Sequence, residues 1–263
     1  MGETVIQVSS LGKRIKGKTI LEDISFEINR GDCVALIGPN GAGKTVLMSC
    51  ILGDKKPSSG QVLIDGKAGK AKNKIAVLLQ ENTIPNSLKV EELITFFQSI
   101  SDNPLTNQEV QDLLQFKEDQ YQQFADKLSG GQRRLLAFVL CLIDKPKILF
   151  LDEPTAGMDT STRQRFWEIV NNLKKAGTTI LYSSHYIEEV EHTADRILVL
   201  HRGKLIRDTT PYAMRHEEKE KQVTLPSSFV SIVHGLSDIY EITEKRDVIS
   251  FMTKDIEKVW QKL

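Results

Sequence analysis

Hydrophobic residues follow two different spacings along the chain, and their alternation predicts an α/β fold. Short apolar clusters bounded by turn residues indicate strands, whereas apolar residues three or four positions apart indicate amphipathic helices. Helices are expected between the strands, including one over 46–52 and one over about 161–175. Strands that alternate with helices favour a mostly parallel sheet with helices on both faces. The strands are predicted at residues 4–8, 24–28, 33–37, 61–64, 148–151, 178–183 and 197–200.

The stretch 88–143 interrupts this alternation, because only helical spacing is found there. We therefore expect a helical subdomain, about 88–145, inserted into an α/β domain that covers 1–210. The pattern weakens after residue 210, and 211–263 is expected to be a small C-terminal extension of unknown role. Further helices are predicted over 90–100, 108–116, 132–143 and 254–263, and further strands over 239–244 and 248–252.

Composition narrows the class of protein. Of the 263 residues, 40% are hydrophobic and 27% are charged, as expected for a globular chain. The 35 Lys and Arg residues balance the 35 Asp and Glu residues, which argues against a dedicated nucleic-acid binder with its excess of positive charge. No apolar stretch is long enough to span a bilayer, and no signal peptide follows Met1. The cysteines are isolated within apolar segments, so a cytosolic protein is predicted.

The segment Leu36–Thr45 carries the most specific motif of the chain. From Gly38 onward it matches G-x-x-x-x-G-K-[ST], the pattern of a phosphate-binding loop. Glycines allow backbone N–H groups to point inward at an anion, Lys44 adds positive charge for the β- and γ-phosphates, and Thr45 adds a hydroxyl for Mg²⁺. An apolar strand precedes the loop and a helix ended by Gly53 follows it, so a helix N-terminus would face the phosphates. The sequence therefore predicts a nucleotide site here.

Two carboxylates and a histidine are expected near this loop. Asp152 and Glu153 follow the strand 148–151 directly, and His185 follows the strand 178–183. The carboxyl ends of parallel strands meet at the edge where open α/β sheets bind ligands. At that edge Asp152 can hold Mg²⁺, Glu153 can activate a water as a general base, and His185 can donate to a γ-phosphate.

A third motif, Leu128–Gln132 (LSGGQ), precedes another predicted helix. Ser129 is a natural N-cap, and Gly130 and Gly131 expose backbone N–H groups that can bind an anion. A simple capped helix start explains the same residues, because one bound nucleotide does not need a second anion site. The residues alone leave both interpretations open.

The order of the motifs resembles that of ABC transporter ATP-binding subunits. The resemblance covers about 3–210, and the segment 183–197 is most similar to subunits of drug- or peptide-export systems. It implies a P-loop NTPase core of the ABC type, with a mostly parallel sheet, flanking helices, an antiparallel β subdomain and the inserted helical subdomain. It also implies an ATPase coupled to transport. The motifs that carry it are the phosphate loop, Gln80, LSGGQ at 128–132, Leu151–Pro154, Gly157–Asp159 and His185.

The resemblance implies which residues perform catalysis and bind the metal. Glu153 is the expected catalytic base, and His185 is the expected γ-phosphate sensor. Gln80 is expected to contribute to catalysis and to bind Mg²⁺ together with Thr45 and Asp152. These three residues are the complete set of expected metal ligands.

The resemblance also implies nucleotide contacts on two segments. Family members pair head to tail and hold two ATP molecules, each between the phosphate loop of one subunit and the LSGGQ segment of the other. Many relatives stack an aromatic residue near position 15 on adenine, whereas Ile15 here offers apolar contact only. The expected loss is about tenfold in affinity. The implied contacts are Gly38, Pro39, Asn40, Gly41, Ala42, Gly43, Lys44, Thr45, Val46 and Ile15, and, toward the other subunit, Ser129, Gly130, Gly131, Gln132 and Asp159.

The implied partners are an integral membrane permease on a separate chain and a second ATP-binding subunit, either identical or different. The segment 80–97 resembles the surface that docks the permease, so the implied location is the cytoplasmic face of the cell membrane. No nucleic acid is expected. ATP and Mg²⁺ are the implied ligands. Two alternatives remain open: a soluble ABC ATPase without a membrane partner, as in iron–sulfur scaffold assembly, and a regulatory module without turnover.

Overall fold

The computed structural model describes residues 2–68, 75–80, 84–85, 87–216, 221–254, 256–260 and 262. The chain divides into two compact units, Met1–Pro211 and Tyr212–Leu263. Across the described ranges, no helix is both long enough and apolar enough to cross a membrane.

The first unit contains most of the regular structure. Its N-terminal part comprises β1 (Thr4–Ile15), β2 (Lys18–Asn29), β3 (Cys33–Ile37), α1 (Lys44–Ile51), β4 (Ser59–Ile64), β5 (Lys67–Ala68) and β6 (Ile75–Leu78). Then follow α2 (Val90–Ser99), α3 (Asn107–Leu114), α4 (Glu118–Tyr121), a 3₁₀ turn (Ala125–Lys127) and α5 (Gly130–Leu142). The last elements are β7 (Ile148–Leu151), α6 (Thr160–Lys175), β8 (Thr179–Ser184), α7 (Ile187–Thr193), β9 (Arg196–His201) and β10 (Lys204–Thr209).

A six-stranded sheet positions the predicted chemistry. Its strand order is β10-β9-β3-β8-β7-β6, and all neighbours are parallel except β10 and β9. The strands β3, β7 and β8 lie inside the sheet and are buried along their whole length, because both of their faces are covered. Their carboxyl ends are therefore neighbours, which brings the segments after residues 37, 151 and 184 to one edge. The predicted, mostly parallel sheet is confirmed.

A second sheet, β2-β1-β4-β5, is antiparallel. Its first two strands form a hairpin of 12 residues each, joined by Lys16 and Gly17, both with positive φ. The sequence predicted only the short strands 4–8 and 24–28, which was wrong in length. Bulges between Val8 and Lys13 interrupt the apolar–polar alternation in β1, so the pattern stops before the strand does.

The helices α2 to α5 lie between β6 and β7 in the chain, as the predicted insertion requires. The α5 helix packs against α2, α3 and α6, and nine of its residues are buried. Thr106 caps α3 in a capping box with Glu109, and Ser129 caps α5 in a box with Gln132. The α5 helix thus begins at Gly130, two residues before the predicted start.

The second unit is a small α/β module. Its elements are α8 (Pro211–His216), β11 (Lys221–Pro226), a 3₁₀ turn (Ser227–Phe229), α9 (Val230–Val233), β12 (Ile239–Lys245), β13 (Val248–Thr253) and α10 (Ile256–Trp260). An antiparallel sheet, β11-β13-β12, covers a core that includes Val223, Ile249 and Phe251. The β11 strand was not predicted, because its apolar residues are only Val223 and Leu225, too short an alternation to indicate a strand beside a charged segment.

Candidate nucleotide-binding site

The loop between β3 and α1 is held closely by its surroundings. A Cβ atom on Gly38 would lie 2.1 Å from the Leu200 carbonyl oxygen, so no larger residue fits without a backbone shift. Gly43 has a φ of +107°, and a Cβ there would lie 2.8 Å from a methyl group of Leu21. The side chain of Lys44 folds back over the loop, where Nζ donates to the Gly38 carbonyl at 2.8 Å. The predicted phosphate loop is thus a compact turn with its lysine 6% exposed.

A cavity of about 450 Å³ opens against this loop. This volume is within the ordinary range for small-molecule sites. Gln80 and Glu153, two of the residues predicted to act in catalysis, also line this cavity. The lining residues are Ile20, Asn40, Gly41, Ala42, Gly43, Lys44, Thr45, Val46, Gln80 and Glu153.

Asp152 is buried, with 3% of its surface exposed, and both of its carboxylate oxygens accept hydrogen bonds from hydroxyls. Thr45 Oγ1 donates to Oδ2 at 2.9 Å, and Ser183 Oγ donates to Oδ1. Carboxylate, hydroxyl and amide oxygens are hard donors of the kind that Mg²⁺ prefers, so Asp152, Thr45 and Gln80 fit this metal by chemistry. Ser183 was not predicted, although it precedes His185 by only two residues.

Glu153 lies between the side chains of Lys44 and His185. Its Oε2 atom is 2.7 Å from His185 Nδ1, and its Oε1 atom is 3.6 Å from Lys44 Nζ. The Glu153 backbone has a φ of +45°, which is uncommon for a residue with a side chain, and its N–H donates to Ser183 Oγ at 2.8 Å. Such strain persists where the surroundings hold the residue in place. The carboxylate is thereby presented to the cavity that holds the phosphate loop.

Arg134, in α5, fixes the backbone around these carboxylates, and sequence reasoning missed it. The residue is 9% exposed, and among the described residues its guanidinium donates to main-chain carbonyls. Nε donates to the carbonyl oxygen of Pro154 at 3.1 Å. Nη2 donates to the carbonyl oxygen of Asp152 at 3.0 Å and lies 3.4 Å from that of Glu153. Burial lowers the pKa of Arg134, and these carbonyl dipoles offset the lost hydration. Nη1 also bonds the carbonyls of Leu79 and Gln80.

The LSGGQ segment lies at the start of α5, outside the lining of the 450 Å³ cavity. Ser129 and Gly130 are exposed, whereas Gly131 is buried against the segment before α6. A Cβ atom on Gly131 would lie 3.2 Å from Asp159 Oδ2. Asp159 caps α6, and bonds from the Ser161 hydroxyl and from Thr162 hold its pKa well below the usual range. The LSGGQ segment and the segment that contains Asp159 therefore lie side by side in the structure.

Ile15, the residue predicted to face adenine, is 36% exposed at the end of β1. The cavity lining includes Ile20 of β2 and not Ile15. A signal for Ile20 was present in the sequence, because it precedes Leu21 in an apolar stretch, but that stretch was not recognised as part of a strand.

Comparisons with known proteins agree on one class. The model of the family described as ABC transporter matches residues 21–156. "Probable multidrug ABC transporter ATP-binding protein YbhF" of Escherichia coli is 31% identical over 89% of this chain. The matched region is 42% of the length of that protein. "Nod factor export ATP-binding protein I" of Rhizobium johnstonii is 32% identical over 83% of this chain and 73% of its own length.

Solved structures extend the similarity to the fold. A structure described as the ATP-binding subunit of an ABC transporter has a TM-score of 0.72 and 27% identity, over 81% of this chain and 93% of that chain. A dimeric ATP-binding cassette in complex with ADP and phosphate has a TM-score of 0.69 and 21% identity, over 78% and 98%. At that identity the second comparison shows a shared fold. The predicted α/β architecture of the P-loop NTPase, ABC type, is confirmed.

Proposed function

This chain belongs to the ABC transporter family, and from that premise we propose that it is the ATP-hydrolysing subunit of an exporter that drives a separate membrane-spanning chain. ATP hydrolysis is characteristic of this family of ATPases. We also propose that residues 1–210 form the ATP-binding domain and that residues 211–263 form an extension whose role is unknown.

One observation carries the proposal: the Glu153 carboxylate lies between Lys44 and His185 at the wall of the cavity against the phosphate loop. A carboxylate at this place can accept the proton of a water that attacks the γ-phosphorus of ATP. Lys44 then stabilises the negative charge on the phosphate oxygens, and His185 holds the carboxylate and donates toward the γ-phosphate. The leaving group is ADP, and the products are ADP and phosphate.

We assign the Mg²⁺ ligands to Thr45, Gln80 and Asp152. When bound, the metal neutralises charge on the phosphate oxygens. The hydroxyl of Thr45 already lies 2.9 Å from Asp152, so these two donors are arranged together. Ser183 supports them, since it orients the other oxygen of the same carboxylate.

The LSGGQ segment supports a dimer in the proposed function. Ser129 and Gly130 are exposed at the N-terminus of a 13-residue helix, where backbone N–H groups and the helix dipole favour an anion. We propose that this end binds the γ-phosphate held by a second subunit, an identical chain being the simplest arrangement. We propose that Gln132 and Asp159 belong to the same surface, and that Gly131, buried against Asp159, contributes its backbone N–H.

Exposed apolar side chains support a docking surface for the membrane partner. Leu79, Phe96, Ile100 and Phe124 are 46–65% exposed. Apolar residues exposed together commonly mark an interaction site. We propose that these side chains, of which Phe96 belongs to the predicted docking segment 80–97, contribute to a surface that binds the permease at the cytoplasmic face of the cell membrane. Residues 81–83 and 86 of that segment lie outside the described residues.

The experiment that tests the function combines phosphate release with co-purification. We expect the purified protein to release phosphate from ATP in the presence of Mg²⁺, and a tagged copy to retain a membrane protein after mild detergent extraction. The names of the relatives, multidrug and Nod factor export, favour an export partner. Phosphate release by a protein whose tagged copy retains no membrane protein would favour the soluble ABC ATPase. Absence of phosphate release even when a membrane partner is retained would favour a regulatory module.

The adenine end of the site gives a separate prediction. Because Ile20 lines the cavity, we expect Ile20→Ala to weaken ATP binding about fivefold, the equivalent of about 1 kcal/mol of apolar contact. Ile15→Ala is the matched variant and is expected to change the Kd less. Titration with a fluorescent ATP analogue measures both. A larger effect at Ile15 would return adenine to the position that the sequence predicted, where Ile15→Tyr should then tighten binding about tenfold.

A further inference from the structure

Tyr186 lies directly against the histidine of the proposed site. The rings of His185 and Tyr186 are 4.0 Å apart between centroids and inclined by 39°, a tilted ring contact. Tyr186 is 42% exposed, so burial alone does not hold its ring in this place. Its backbone N–H donates to Ser184 Oγ at 3.0 Å, which fixes the turn but not the ring.

The Tyr186 ring also contacts a charged group from α6. The guanidinium carbon of Arg163 lies 5.6 Å from the ring centroid, within the range of a cation–π contact. Arg163 Nη2 donates to the Met158 carbonyl at 3.3 Å, and Nε lies 3.3 Å from Glu189 Oε1. Tyr186 therefore contacts both the arginine and His185.

Glu189 closes this set of contacts. It extends from α7, and its side chain is 11% exposed. The Thr155 hydroxyl donates to Glu189 Oε2 at 3.0 Å, and Thr155 itself is 3% exposed. Thr155 is only two residues after Glu153, which contacts His185. The contacts thus form a closed ring that begins and ends on the segment 153–155.

We propose that Tyr186, held by Arg163 and Glu189, is a positioning residue that keeps His185 against Glu153 during ATP hydrolysis. This inference rests on the proposed function and extends it to three residues that no motif contained. His185 is 41% exposed and its described polar contact is the one to Glu153, so its ring needs a second support to stay aligned. Small displacements of a catalytic group reduce the rate strongly and leave substrate binding nearly unchanged.

The steady-state test compares Tyr186→Ala with Tyr186→Phe. We expect Tyr186→Ala to lower kcat about tenfold with KM within about twofold of the wild-type value. Tyr186→Phe keeps the ring and should recover most of the lost kcat. Ile187→Ala, which changes an exposed neighbour outside the ring of contacts, is the control for general effects at this turn. Equal losses in Tyr186→Ala and Tyr186→Phe, or a rise in KM alone, would contradict the proposal.

A double-mutant cycle separates positioning from a structural role. In the His185→Ala background, Tyr186→Ala should have no further effect on kcat, because its action passes through His185. Arg163→Ala should lower kcat in the same direction, and again only when His185 is present. Independent, multiplying losses would overturn the assignment.

A spectroscopic measurement keeps the inference separate from the proposed function. With histidine labelled by ¹³C, the ring protons of His185 should carry a ring-current shift that disappears in Tyr186→Ala and persists in Tyr186→Phe. This readout does not need turnover, so a protein without ATPase activity would refute the function while the spectra still decide the ring contact. A His185 signal that is the same in wild type and Tyr186→Ala would refute the inference alone.

Discussion

Glu153→Gln is expected to reduce the ATP turnover number by at least about 10²-fold while ATP still binds. The amide has nearly the shape of the carboxylate but cannot accept a proton, and a positioned general base is worth about 10²–10⁴-fold. The neighbouring Lys44 and His185 remain to hold the phosphate. Phosphate release measures the turnover, and equilibrium binding of a fluorescent ATP analogue measures the affinity.

This substitution also tests the proposed pairing of subunits. If hydrolysis is what separates two subunits, Glu153→Gln should accumulate an ATP-bound dimer, visible by size-exclusion chromatography with light scattering. Glu188→Gln removes an exposed carboxylate from the nearby α7 helix and is the matched control. Turnover near the wild-type value in Glu153→Gln would exclude Glu153 as the base.

Arg134→Ala is expected to have the largest effect on stability. The guanidinium donates to carbonyls of Leu79, Gln80, Asp152 and Pro154, and their buried oxygens would lose these donors. A hydrogen bond to a charged group contributes about 1.5–3 kcal/mol, and an unpaired buried carbonyl costs about 1–3 kcal/mol, so a net loss of about 3–5 kcal/mol is expected. For a unit of about 200 residues this corresponds to a fall in Tm of roughly 6–20 °C.

The control and the functional readout distinguish Arg134 from an ordinary arginine. Arg14→Ala removes an exposed arginine from β1 and should leave Tm within about 2 °C. Arg134→Lys keeps the charge but not the planar set of donors, so an intermediate Tm is expected. At a temperature where each variant is folded, kcat should still fall in Arg134→Ala, because the released carbonyls belong to Gln80 and to the segment of Glu153. An unchanged Tm would show that water replaces the guanidinium without cost.

The site residues were easiest to predict from the sequence where polar residues directly follow a buried strand. The phosphate loop, Asp152, Glu153 and His185 each follow a strand that is buried on both faces, so a continuous apolar run marked the strand and polar residues marked its end. The alternation of strands and helices predicted that these strands are parallel, whereas the strand order that makes their ends neighbours is seen only in the structure.

The contacts that sequence reasoning missed arise between distant parts of the chain. Arg134 reads as one more polar residue of a helix, and only the packing of α5 shows that its guanidinium lies among carbonyls 18–55 residues away. Ser183 looks like a small strand residue until Asp152 is beside it. Strands β1 and β2 were predicted too short, because bulges change which face a residue occupies.

The α5 helix carries two of these features close together. Its exposed first turn follows Ser129, and Arg134 comes only five residues later, a rise of about 7.5 Å along the helix axis. In a head-to-tail dimer, nucleotide bound to the first turn would therefore be energetically coupled to the segment of Glu153 in the other site. Such coupling is reciprocal, so each ATP would change the affinity of the opposite site by the same factor. Binding of the two ATP molecules would then be interdependent through one short helix segment.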